Sequence, residues 1–139
     1  MESTQLEPAL EGQEEHKCPV KATIRISISG KKRKEAVIVL RDLMAETKLT
    51  EGCVSYRLYQ DVQEDRWLML EEIWTSQKLL ERHLRSDRFL SVLLVMEMAT
   101  EVPEVRFEVI SHCSGIETIE KARAKPDLFG ASIVPSLMS

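Results

Sequence analysis

The chain has 139 residues, of which 43% are apolar and 30% charged, and a formal net charge of −4. That mixture is globular, fits one domain with tails at both ends, and suffices for a real core. The acidic balance argues against nucleic acid as a partner, no apolar run is long enough to span a bilayer, and the acidic N-terminus lacks the basic-then-apolar order of a leader, which makes the cytoplasm the expected location. Cys18, Cys53 and Cys113 are widely scattered without a CxxC pair, as in a protein of a reducing compartment.

Residues 1–20 read as a loose acidic arm, because five glutamates and few apolar groups recover too little by burial to offset ordering entropy. Residues 23–29 (TIRISIS) alternate, with Ile24, Ile26 and Ile28 on one face, and predict a half-buried strand that Gly30 ends. From Lys31 to Lys48 the period becomes helical, with Ala36, Val37, Leu40, Leu43, Met44 and Thr47 forming the apolar stripe. The run Lys31–Lys34 is either the solvated start of this helix or an anion patch.

Gly52 marks a turn, and residues 53–60 (CVSYRLYQ) alternate with Val54, Tyr56 and Leu58 on one side. A short polar link leads to residues 66–74 (RWLMLEEIW), so the two strands read as a hairpin without an Asn-Gly signal. In this second strand Leu68, Leu70, Glu72 and Trp74 oppose Trp67, Met69 and Ile73, so both faces carry large side chains. Thr75 or Ser76 caps a helix bearing Leu79, Leu80, His83 and Leu84. Ser86 and Asp87 offer a second cap, predicting a bend before Phe89, Val92, Leu93 and Met96. After Pro103, residues 105–113 alternate as a last strand through Val105, Phe107 and Val109.

The order is β, α, β, β, bent α, β: an α+β, ferredoxin-like βαββαβ unit with an antiparallel four-stranded sheet spanning residues 21–114. Helices shelter one face of such a sheet, and the other is expected to meet a second copy in a homodimer. Residues 115–139 form an extension, with a short helix expected over 117–125. Its apolar residues Leu128, Phe129, Ile133, Val134, Leu137 and Met138 either pack against the dimer or stay apart from it. No metal-ligand spacing, glycine-rich phosphate loop or nucleotide fingerprint is present, so neither a metal nor a cofactor is expected.

The segments GCVSYRLYQD, LEEIW and SQKLLERHLRSDRF resemble the antibiotic biosynthesis monooxygenase family of dimeric α+β barrels, in particular its quinol monooxygenase-like members. The resemblance covers roughly residues 22–114. It implies two sheets packed face to face, a pocket between each sheet and its helices, and cofactor-independent oxidation of a small aromatic substrate that itself reduces dioxygen. His83 falls where the family commonly carries a histidine and would be the base, with Glu72 orienting it; the plainer reading is a hydrogen-bonded helix histidine beside a packing carboxylate. Trp74, Tyr56 and Phe107 would line the aromatic site and Arg57 would hold an anionic group; otherwise the three are core and Arg57 is solvated.

Two departures bear on this. The chain contains no asparagine, and where haem-degrading relatives of the same superfamily need a Trp and a His it carries His83 and Leu93, which argues against haem degradation. Many quinol-type members also carry a second histidine where this chain has Arg88. The competing reading is a non-catalytic dimeric module that binds a small ligand or a protein, its cavity filled by side chains or closed by residues 126–139.

Overall fold

The computed structural model describes residues 18–124. Strand β1 (Val20–Ser27) leads into helix α1 (Gly30–Lys48), and the hairpin strands β2 (Cys53–Gln60) and β3 (Trp67–Trp74) follow. Helices α2 (Gln77–Leu84) and α3 (Asp87–Glu97), strand β4 (Glu104–Val109) and a short helix α4 (Glu117–Arg123) complete the order. The sheet runs β2-β3-β1-β4 with every neighbour antiparallel, which is the ferredoxin-like arrangement. Most of residues 1–20 and the apolar part of the C-terminal extension lie outside the described residues.

Alternation sets the inner face. Val20, Ala22, Ile24, Ile26 and Ile28 are all buried, and Leu68, Leu70, Glu72 and Trp74 join them from β3. Helix α1 closes over this layer with Ala36 and Leu40, and α3 adds Phe89, Val92 and Val95. Each such large apolar side chain stabilises the fold by about 1.5–3 kcal/mol, which is what holds helices of modest intrinsic stability on the sheet.

The local signals act as their chemistry demands. Asp61 takes the place of an Asn-Gly turn: its Oδ1 accepts the backbone N–H groups of Gln63 at 2.8 Å and Glu64 at 2.9 Å. Those donors hold its carboxyl below the usual carboxylate range. Ser76 Oγ accepts from the Leu79 N–H at 3.3 Å to start α2. At the bend Ser86 Oγ accepts from the Phe89 N–H and donates to the His83 carbonyl at 2.6 Å, so one hydroxyl ends one helix and begins the next.

Two expectations change, and the outer face is seen in more detail. A bulge between Cys53 and Ser55 turns Cys53 inward and leaves Val54 59% exposed, shifting the start of β2 by one residue. The last strand ends at Val109 rather than running to 113. On the sheet face away from the helices, large apolar groups come chiefly from β3, as Trp67, Met69 and Ile73. Strands β1 and β4 contribute Lys21, Thr23, Arg25, Glu104, Arg106 and Glu108, which line a concavity of about 590 Å³ with Met69 and Glu71. This outer face is therefore half apolar and half charged. Among the described residues no helix is long and apolar enough to cross a membrane.

Candidate functional site

Alternation along β3 places Glu72 and Trp74 two residues apart on the inner face. The Trp74 indole Nε1 donates to Glu72 Oε1 at 2.8 Å. His83, in the last turn of α2, descends onto the same pair, with Nε2 3.2 Å from that oxygen, although the angle is not that of a directed hydrogen bond. Its imidazole stacks on the Trp74 ring at 4.6 Å and 28°, while the Phe89 ring meets it edge-on at 5.5 Å and 76°. Two aromatic rings and a carboxylate thus fix one imidazole in place.

Four residues named from the sequence converge here. Trp74, Glu72, Tyr56 and His83 are 0%, 1%, 1% and 3% exposed. The register aligns Tyr56, Glu72, Ala22 and Phe107 in one row across all four strands. Glu72 Oε2, Tyr56 Oη and both ring nitrogens of His83 are buried without a directed hydrogen-bond partner among the described residues. Buried polar atoms left unpaired are costly, and four within one cluster mark a place where polar chemistry is retained against stability.

Burial, with the nearby Glu72 carboxylate, pushes the Tyr56 phenol well above its usual range. Burial and the same carboxylate raise the Cys53 thiol, with Lys48 opposing. Both groups are thereby held neutral, which leaves Cys53 without the thiolate character of a nucleophile. Among the described residues no three of His, Cys, Asp and Glu are grouped to hold a metal ion.

The other two predicted residues stand apart. Arg57 is exposed on the outer side of β2, across the sheet from His83, so it does not belong to this constellation. Phe107 lies on the inner side but at the sheet edge, 48% exposed, with Ala22 between it and Glu72. Two participants were not foreseen as site residues. Phe89 shows in the sequence only as part of an apolar stripe, and Cys53 enters through a bulge that alternation does not encode.

A family model described as antibiotic biosynthesis monooxygenase matches residues 19–92, which hold every member of the buried cluster. Among solved structures, a conserved protein from Methanosarcina mazei Go1 is 24% identical, with a TM-score of 0.63 over 69% of this chain and 96% of that one. Rv0793 from Mycobacterium tuberculosis is 26% identical, with a TM-score of 0.59 over 70% of this chain and 97% of that one. An uncharacterised Synechocystis protein, sll1783, is 24% identical over 71 residues, 51% of this chain; the match spans only 48% of that relative's length. With the family model spanning more than half of its length and the fold in agreement, the chain belongs to the antibiotic biosynthesis monooxygenase family.

Proposed function

We propose that the protein is a cofactor-independent monooxygenase of a small phenol or quinol, acting as a homodimer whose outer sheet faces meet. The observation that carries this reading is the clamped imidazole: Nε2 is turned to Glu72, and Nδ1 is buried without a partner. A proton on Nε2, facing the carboxylate, leaves the Nδ1 lone pair as the base. His83 then takes the phenolic proton, and Glu72 steadies the imidazolium that results. The phenolate is the electron donor to dioxygen. One oxygen atom ends on the ring as a carbonyl and the other leaves as water, so phenol plus dioxygen gives quinone plus water.

Tyr56 and Trp74 form the walls, and Phe107, exposed in the same row, marks the side from which an aromatic ring approaches. Arg57 has no part in this arrangement. Oxygen uptake with a panel of hydroquinones and naphthols tests the proposal. Wild-type protein is expected to exceed the autoxidation rate, and His83→Ala to lose about 10²–10⁴-fold of the excess, the usual contribution of a positioned base. An excess unchanged in His83→Ala removes the base from the mechanism.

The enclosure of the cluster favours a second reading, a non-catalytic module of the same fold in which Glu72, Trp74 and His83 form a polar cross-brace between sheet and helix. No uptake with any member of the panel, together with a large loss of stability in His83→Ala, would select it.

A further inference from the structure

Strand β4 ends the sheet order, and no described element pairs with its far side. The two edges of the sheet differ. Strand β2 carries the bulge at Cys53–Ser55 and lies under α1. Strand β4 instead keeps an unbroken register with β1, contains neither Pro nor Lys, and is exposed along its whole length. Bulges, prolines, lysines and covering helices are what keep a sheet edge from pairing, and β4 has none of them among the described residues. The ladder fixes where its free backbone groups point. The Ile110 N–H donates to the Pro19 carbonyl at 2.8 Å, continuing the register that sets Val20 against Val109, so Ile110 is turned toward β1. Backbone direction alternates along an antiparallel strand, so Arg106 and Glu108 also face β1, while the N–H and C=O groups of Val105, Phe107 and Val109 point off the edge. The side chains of these three stand on the helix side of the sheet and are 46–62% exposed. Glu104, Arg106 and Glu108 stand on the outer face.

We infer that this edge docks the same strand of a second copy, paired antiparallel about a twofold axis at Phe107 and joining two sheets into one. Opposed residues of an antiparallel pair share a face, so any register that sets Phe107 against Arg106 is excluded. A register centred on Arg106 opposes Arg106 to itself and Glu104 to Glu108, like charges in both cases. Centring on Phe107 instead opposes Arg106 to Glu108 and Val105 to Val109, each twice by symmetry, with Phe107 against itself. The outward residues are then the hydrogen-bonded partners, and each such pair exchanges two backbone hydrogen bonds. The opposite charges fall at the closer, non-hydrogen-bonded positions, where cross-strand ion pairs are favourable. A six-residue strand is only about 20 Å long and buries less than a standard interface, so pairing is expected at protein concentrations on the order of 0.1–1 mM. The docking does not depend on the proposed chemistry, and it leaves the outer sheet face free.

Nuclear magnetic resonance on the full-length protein tests the docking. In a mixture of isotope-labelled and unlabelled wild-type chains at about 1 mM, an intermolecular Overhauser effect is expected between Hα of Arg106 in one copy and Hα of Glu108 in the other. Amide exchange gives a second readout. The Val105, Phe107 and Val109 amides are expected to slow at least about tenfold between roughly 20 μM and 1 mM. Arg106→Glu and Glu108→Arg should each abolish that slowing, and the two together should restore it. Face-to-face packing of sheets joins side chains and leaves these amides free, so it does not imitate the signal. The Arg106, Glu108 and Ile110 amides, bound to β1, report that β4 stays in its own sheet. Should a single variant lose those as well, the wild-type Overhauser effect decides. Its absence, an effect between Arg106 and Arg106, or fast exchange of the three edge amides at 1 mM would overturn the inference. So would slow exchange in wild type and all three variants alike, by showing that another segment of the chain covers the edge.

Discussion

Tyr56 brings a phenol into the interior without giving its oxygen a partner among the described residues. Its ionisation is opposed by burial and by the Glu72 carboxylate, so the folded phenol holds its proton at pH values where the unfolded chain releases it. The native state then binds more protons than the unfolded one, and stability falls as pH rises above the ordinary tyrosine value near 10. Cys53 behaves likewise from about 9, because its thiol is raised by the same causes. Urea midpoints are therefore expected to be insensitive to these two groups below pH 9 and to fall above it. Tyr56→Phe should flatten the decline above pH 10, and Cys53→Ala the part beginning near 9. Since the hydroxyl has no partner, Tyr56→Phe should cost little at neutral pH. A decline identical in all three proteins would show that other groups control it. Much of this neighbourhood was legible in the sequence: period-2 alternation puts Glu72 with Trp74, and the family resemblance singles out His83. The pairing of His83 with Glu72 as base and orienter was expected, but its 3.2 Å separation and its enclosure were not legible, since they depend on where α2 crosses the sheet, a packing outcome that no local pattern encodes.

Elements were read best where the signal is chemical and local, as at the Ser76 and Ser86 caps and in the alternation of β1 and β3. The bulge in β2 leaves no trace in alternation, because an extra residue shifts parity without requiring a glycine or proline. The exposure of β4 was also illegible, since Val105, Phe107 and Val109 alternate like any inner-face strand, and it is the lack among the described residues of a helix packed on β4, as α1 packs on the other edge strand β2, that leaves them exposed. Gly52, just before β2, is the element-scale position with a sharp consequence. Its φ is +91°, and a Cβ there would stand 2.6 Å from Leu79 Cδ1 and 2.8 Å from Leu79 Cβ. Its carbonyl also accepts the Thr75 N–H at 2.8 Å, tying the start of β2 to the end of β3. A side chain would strain the backbone and push α2 off the sheet at the helix that carries His83. Gly52→Ala is therefore expected to destabilise by about 1–3 kcal/mol. Gly30 is the control: a Cβ there meets nothing within 4 Å, its φ is not positive, and Gly30→Ala at the start of α1 should be neutral or slightly stabilising. Equal urea midpoints for the two variants would contradict this account.

At the scale of the molecule the unresolved balance lies on the outer sheet face. Trp67 is already partly sheltered, because the guanidinium groups of Arg25 and Arg66 lie 4.6 Å and 5.9 Å from its ring. Met69 and Ile73 beside it are half-buried, and the flanking charges are of both signs: Lys21, Arg25 and Arg106 against Glu71, Glu104 and Glu108. An apolar stripe bordered by mixed charge suits a twofold interface, in which residues of one sign on one copy meet those of the other sign on its partner. A standard interface of about 800 Å² per partner lies within reach of a four-stranded face. The proposed homodimer is accordingly expected to sediment at twice 15.9 kDa at micromolar concentration. Met69→Lys and Ile73→Lys place a cation in the stripe without touching the helix-side core, and each should yield a monomer of unchanged far-ultraviolet circular dichroism. Because the border charges attract across the interface, raising salt from about 0.05 to 0.5 M should weaken the wild-type dimer, whereas a purely apolar contact would hold or tighten. A wild-type monomer at micromolar concentration would leave this face to a different partner, and the mixed charges around Arg25 and Glu71 would then be where to seek it.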